Sequence, residues 1–221
     1  MEGEGASVFD KRRFVNQNAQ LMSPRRYDMS RRRASAERTR RRILDATVEL
    51  HAEQGILATS WEDIARRAGV AVGTVYRHFR SLDELVPACG EISMPRLGLP
   101  DAGRRRELFA GVTDPRERLR RLVAECYAVY ERGDDIVRAV RREPDRSELA
   151  AVAESHARIE EAIDALVAEA LAPLEAGGRV AAAARALCDH DSWRALRRRD
   201  LGPATAVDVA AAMLGGLLPE P

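Results

Sequence analysis

Thr59-Ser60-Trp61-Glu62-Asp63-Ile64-Ala65-Arg66-Arg67-Ala68-Gly69-Val70-Ala71-Val72-Gly73-Thr74-Val75-Tyr76-Arg77-His78-Phe79-Arg80-Ser81 is the stretch whose reading decides the fold. Ser60 is placed to cap a short helix, with Asp63 at the capping-box position, where Asp is a weaker substitute for Glu. Ile64, Ala65 and Ala68 give that helix a buried side. Gly69 ends it, because the turn needs a residue that tolerates positive φ. Val70 plugs the turn, and a second helix runs from Val72 to Phe79. Two helices that cross steeply need a small residue where they touch, and Ala65 supplies it. Val75 and Phe79, four apart, hold the second helix down. Val72, Gly73, Thr74, Tyr76 and Arg77 are then left pointing outward. Small and hydrogen-bonding groups on one helix face suit entry into a DNA major groove about 12 Å wide.

Working outward, Ser35 to Gln54 reads as a preceding helix. Ile43, Thr47 and Leu50 recur at i, i+4 and i+7, Leu44 and Val48 broaden the stripe, and Gly55 ends it. Ser81 caps a following helix with Glu84 at the capping-box position. Pro87, Pro95 and Pro100 then predict a kinked helix and a loop over 86–103. Asp114-Pro115 restarts the helical pattern, with an N-cap followed by proline at N1. Leu119, Leu122, Val123, Cys126, Tyr127 and Tyr130 follow on one stripe. Gly133 predicts a break before a short helix over Asp134–Arg142. Ser147–Leu171 reads as a long helix, followed by helices near Arg179–Arg199 and Pro203–Leu218. Nothing reads as a strand.

Charge separates the two ends of the chain. Residues 1–82 carry 16 Arg and Lys against 10 Asp and Glu, whereas residues 83–221 carry 20 against 25. A basic first part joined to an acidic remainder predicts that only the first part meets a polyanion. Arg25, Arg26, Arg31, Arg32 and Arg33 make the end of the 1–34 segment basic. That segment is either a tail or an arm that reaches the DNA backbone or minor groove. Cys89, Cys126 and Cys188 are odd in number and far apart, which fits thiols in a reducing compartment. No apolar signal segment is evident, and Val209–Leu218 is too short to span a bilayer. The expectation is a cytoplasmic protein with no membrane association.

The quoted stretch, with Arg40–Gly55 before it, resembles the TetR family of bacterial regulators. The resemblance covers about 50 residues specifically, and the remainder matches in architecture alone. It implies an all-α protein: an N-terminal three-helix helix-turn-helix DNA-binding domain over 35–85, behind a basic arm at 1–34. A C-terminal helical domain over 86–221 would bind a ligand and dimerise. It implies that Thr59 and Ser60 donate to phosphate at the start of the first of the two helices. Ala71, Val72, Gly73 and Thr74 would begin the recognition helix at the groove. Tyr76 and His78 would touch phosphate, and Arg77 is a candidate reader of guanine O6 and N7. The sequence departs from the family pattern at Leu82, where lysine is usual, and at Ala71, where serine is frequent. Each departure removes one backbone contact.

Tyr127, Tyr130, Cys126 and His156 lie on inward helix faces. In the family such faces line an effector pocket, so these four are candidate ligand-binding residues, with plain core packing as the alternative. Cys188-Asp189-His190-Asp191 holds ligand-type side chains, but neighbours on a helix diverge by about 100°, so no metal or other cofactor is expected. The last helix is rich in small residues, and the family dimerises through its last two helices. The expected function is that of a ligand-responsive transcriptional regulator, a repressor that binds a palindromic double-stranded DNA operator as a homodimer. A small-molecule effector would release it. A transcriptional activator of the same family is the alternative, as is a small hydrolase using Cys126 and His156. No other enzyme constellation is present.

Overall fold

A computed structural model describes residues 29–142, 149–174 and 177–218. The described elements are all helices: α1 (Met29–Gln54), α2 (Trp61–Ala68), α3 (Val72–His78), α4 (Leu82–Leu97), α5 (Ala102–Phe109), α6 (Pro115–Arg142), α7 (Ala150–Leu171), α8 (Gly178–Leu187), α9 (His190–Arg197) and α10 (Pro203–Gly215). The chain divides into two compact units, Met1–Thr39 and Arg40–Pro221. In the first, the helix begins at Met29 rather than Ser35. Its basic residues Arg31, Arg32 and Arg33 are therefore helical. Arginine is a good helix former, which is why no break falls at Ser35. Thr39 donates back to the Ser35 carbonyl at 3.0 Å. The expectation for Arg25 and Arg26 falls outside the described residues.

The second unit holds a three-helix head and a helical body. Ile43, Leu44, Leu50, Ile64, Val75, Phe79 and Leu85 are buried together in the head. Each such side chain contributes about 1.5–3 kcal/mol by leaving water. The body is organised on α6, which packs against α4, α5, α7, α9 and α10. Its core includes Leu97, Leu119, Leu122, Cys126, Tyr130, Ile163, Leu166 and Leu214. On α10, Ala206, Ala210 and Leu214 are fully buried, and their small side chains let that helix lie close along α6.

Two further boundaries differ from the sequence expectation. First, α4 is continuous through Pro87 and Pro95 and stops at Gly98, whose φ of 56° is left-handed. An internal proline costs a helix about 3 kcal/mol. Leu85, Val86, Ala88, Cys89, Ser93, Met94 and Leu97 are buried along α4 and offset that cost. At Gly133 the expectation holds: the residue leaves helical geometry with φ −153° and ψ 41°, a kink between the two helical parts of α6. A Cβ there would lie 2.4 Å from Leu97 Cδ2, so the helix bends where α4 comes closest. Second, the helix expected over Arg179–Arg199 is two helices. Asp189 accepts the Asp191 N–H at 2.8 Å and caps a new helix, α9. The expected start at Ser147 lies outside the described residues, and α7 is described from Ala150.

Arg118 ties three elements of the body together. Its guanidinium donates to the carbonyls of Ala170 (2.9 Å), Glu169 (2.7 Å), Phe109 (3.2 Å) and Val112 (3.1 Å). It also lies over the Phe109 ring at 4.8 Å. It thereby satisfies carbonyls near the end of α7, where helices leave acceptors unpaired. Arg118→Met removes every donor and leaves those oxygens buried. It is expected to lower stability by about 3 kcal/mol or more in chemical denaturation.

Head and body meet through a small apolar cluster of Ile56, Val86, Val140, Leu149 and Val152. Arg142 crosses the same joint to donate to the Glu53 carbonyl at 2.8 Å. His51, near the end of α1, is buried beside it, and its Nε2 has no hydrogen-bond partner. Burial lowers its pKa from 6.5 to about 4. The folded protein therefore keeps His51 neutral while the unfolded chain takes up a proton below pH 6.5. The full contribution is present above that value and is lost as pH falls from 6.5 to 4, by about 3 kcal/mol. Denaturation midpoints across that window should show this slope, and His51→Leu should abolish it.

Candidate nucleic-acid interface

Ser60 is the N-cap of α2. Its Oγ accepts the Asp63 N–H at 3.1 Å and donates to Asp63 Oδ2 at 2.6 Å. The exchange resembles a capping box closed on the side chain of a shorter acid. Asp63 also pairs with Arg66. Thr59 is buried, and its Oγ1 donates to the Gly55 carbonyl at 2.7 Å. Both hydroxyls expected to donate to phosphate are thus engaged inside the chain. The physical reason is that a short helix start with an acid three residues on offers nearer acceptors than a phosphate does.

Gly69 ends α2 at φ 64° and ψ 42°. The Val70 N–H reaches the Ala65 carbonyl at 3.0 Å, which closes the last turn and aims the chain into α3. Ala71 is the N-cap of α3 without a side-chain bond of its own. Val75 and Phe79 are buried at 0% and 2% exposure. Their burial turns Gly73, Tyr76 and Arg77 to solvent, with Thr74 and His78 half-buried beside them. Val72 is half-buried too, packed on the edge of the head core. The outward set is therefore narrower than the sequence pattern predicts, because α3 turns Val72 partly inward.

Tyr76 is 46% exposed, yet its ring stacks on Trp61 with centroids 5.0 Å apart and planes at 29°. Trp61 therefore supports the Tyr76 ring and restricts where its hydroxyl can go. Arg77 Nη2 lies 3.3 Å from Thr74 Oγ1, one turn back on the same face. This holds the guanidinium along the helix and leaves its remaining donors outward. Arg67, by contrast, is held by Glu53 at 2.7 Å and Glu49 at 3.2 Å, so it braces α2 on α1. Leu82 packs inward at the start of α4, and Glu84 accepts the Arg80 N–H at 2.8 Å rather than that of Ser81. The role of Trp61 was readable in principle, since an aromatic beginning one helix and another in mid-helix on the next commonly meet. Its partner was not readable without the crossing of α2 and α3.

The candidate effector residues fall in two places. Cys126 is fully buried. Tyr127 donates to the Leu187 carbonyl at 3.1 Å and Tyr130 to the Cys188 carbonyl at 2.7 Å, so both phenols secure the corner between α8 and α9. His156 lies on α7 with Nε2 3.7 Å from Glu160. Burial pushes the Cys126 thiol well above its ordinary value. That is the opposite of what a thiolate nucleophile needs. Of the tetrad considered for a metal, Asp189 and Asp191 pair with Arg141, and His190 pairs with Asp134 at 2.9 Å. Asp189 and Asp191 thus share Arg141, while His190 turns to Asp134.

Residues 43–89 match the family model described as bacterial regulatory proteins, tetR family. The HTH-type transcriptional repressor KstR of Mycobacterium tuberculosis is 34% identical over 140 residues, which are 63% of this chain and 61% of KstR. The HTH-type transcriptional regulator SrpR of Pseudomonas putida is 46% identical over 55 residues, 25% of this chain and 26% of its own. The chain thus spans about three-fifths of the first relative and about a quarter of the second. Among solved structures, NalD of Pseudomonas aeruginosa, the secondary repressor of the MexAB-OprM multidrug efflux pump, superposes with a TM-score of 0.57 at 23% identity. That match covers 83% of this chain and 98% of NalD. FadR of Bacillus subtilis, in complex with stearoyl-CoA, gives 0.52 at 18% identity, over 80% of this chain and 96% of FadR. These structures share the fold.

Replacing Gly69 by alanine tests the turn that aims α3. Nothing lies within 4 Å of the added Cβ, so the cost is backbone strain alone. Thermal denaturation should show a loss of about 1 kcal/mol.

Proposed function

We infer that this chain, which belongs to the TetR family of bacterial regulators, is a ligand-responsive transcriptional repressor acting as a homodimer on a palindromic operator. The observation that carries the reading is the face of α3: Tyr76 and Arg77 are exposed and Thr74 is partly so, on a helix pinned by Val75 and Phe79. Arg77 reads a base edge, and Tyr76 and His78 meet phosphates on either side of it. The small side chains of Ala71 and Gly73 let the start of α3 approach the groove closely, with Thr74 as a further polar contact. Ser60 and the start of α2 lie at the backbone, where the helix dipole favours an anion. Most of the affinity comes from phosphate contacts and falls steeply with salt. Residues 35–85 act as the DNA-binding domain and 86–221 as the regulatory domain, and the basic arm adds backbone contacts.

Dimerisation through the C-terminal helices is supported by α10. While Ala206, Ala210 and Leu214 face the core, Val209, Met213 and Leu217 form a second stripe at i, i+4 and i+8, each at least 36% exposed. Such a stripe suits a two-fold interface between identical helices. Two recognition helices would then meet half-sites about 34–36 Å apart. Repression is supported by the repressor named among the relatives, KstR. An effector in the body releases DNA to the extent that it prefers the state whose heads are wrongly spaced.

Binding to the DNA flanking its own gene tests the reading by fluorescence anisotropy. Arg77→Ala should weaken specific binding by about 1–3 kcal/mol and relax preference at one base pair of each half-site. Met213→Arg should yield monomers in light scattering and lose operator binding. A chain with no sequence-specific binding at moderate salt overturns the proposal.

A further inference from the structure

A cavity of about 50 Å³ lies under the head, between the end of α1 and helices α4, α6 and α7. Val48, Ile56, Val86, Met94, Ile136 and Val152 give it apolar walls. His51 lines it at 5% exposure, with Nε2 unpartnered. We infer that this cavity is the effector site, and that it takes a neutral, largely apolar molecule whose hydroxyl pairs with His51 Nε2. The inference rests on the reading of the chain as a ligand-responsive regulator, and it moves the effector away from the Cys126, Tyr127 and Tyr130 side of the core.

The chemistry of the lining selects the ligand class. The other hydroxyls, Ser93 and Ser155, each donate to a carbonyl of their own helix at 2.8 Å. The Asp135 carboxylate at the rim is held by Arg96 at 3.1 Å. His51 therefore presents the unmet hydrogen-bonding need. Because burial keeps that imidazole neutral, it offers no charge for an anion to pair with. A hydroxyl both donates and accepts, so it satisfies Nε2 in either tautomer. Apolar walls then favour hydrocarbon on the rest of the molecule.

Size explains how binding there reaches the DNA. A water molecule takes about 30 Å³ of liquid, and a cavity of about 150 Å³ admits benzene. A space of about 50 Å³ thus accepts the hydroxyl end and little more. Gly90 lets α4 lie close to α7, since a Cβ there would already touch Ser155 Oγ at 3.8 Å. A larger ligand has to widen the joint, and the wall that carries His51 belongs to the head. Binding and head position are linked by the ligand's preference for the wider joint.

The test uses the full chain with phenol and its hydroxyl-free counterpart toluene, followed by calorimetry. Phenol should bind roughly tenfold tighter than toluene, the effect of one added hydrogen bond. His51→Leu should make the two equal. Gly90→Val, which fills the cavity from α4, should weaken phenol at least tenfold. Ala151→Leu, which fills it from α7, gives the same readout should the first variant melt early. Equal affinities in the native chain, phenol binding that survives both filling variants, or no binding of phenol at all overturns the inference. Operator binding is measured in the same samples. A chain that binds its operator but not phenol loses only this inference. A chain that binds phenol here but no operator loses the regulator reading instead.

Discussion

Val75 on α3 and Phe79, the C-cap four residues on, are buried against α1 and α2, and that burial is the interaction on which the interface depends. A helix of seven residues has too few internal hydrogen bonds to hold itself in water. It exists because these two side chains are worth more inside the head than outside it. Once they are inside, 100° per residue decides the rest: Tyr76 and Arg77 must face outward. Trp61 then narrows the freedom of Tyr76 by stacking. A loss of packing at either anchor would reach the exposed face without touching it.

The joint between head and body follows a different logic. It is small and imperfectly filled, with five buried apolar side chains, one guanidinium-to-carbonyl bond from Arg142 to Glu53 and an unsatisfied imidazole. In the body, several buried polar groups are paired, although the buried Arg138 Nε has no hydrogen-bond partner. Tyr127, Tyr130 and Arg118 each find backbone carbonyls, and Trp193 Nε1 reaches Glu131 at 3.2 Å. The joint thus combines a void with an unsatisfied imidazole where two parts of the molecule would have to shift. Regions that move are drawn from the less stable end of a structure.

Side chains that sequence patterning assigned only to a stripe acquired definite tasks from their neighbours. Thr59 and Ser60 look like phosphate donors as a motif, but their hydroxyls donate to the Gly55 carbonyl and to Asp63. His51 falls on the same stripe as Ile43 and Thr47, so its inward direction was legible. Its lack of a partner was not, because that depends on α4, α6 and α7 as well. The same holds for Arg118, whose four acceptors come from as far as Ala170. Pro87 and Pro95 misled the reading of α4 because local propensity takes no account of the burial that overrides it.

By itself the sequence determined the all-helical class, the turn at Gly69, the anchors Val75 and Phe79 and the outward position of Arg77. These depend on spacing along one chain and on the conformational range of single residues. The tertiary structure decided the continuity of α4, the engagement of Thr59 and Ser60, and the cavity at His51. Each of these arises between elements distant in sequence, where a hydrogen bond or a void is the joint property of three or four helices. The quoted stretch from Thr59 to Ser81 says which groups face outward. Only the folded chain says which of them are still free to bind.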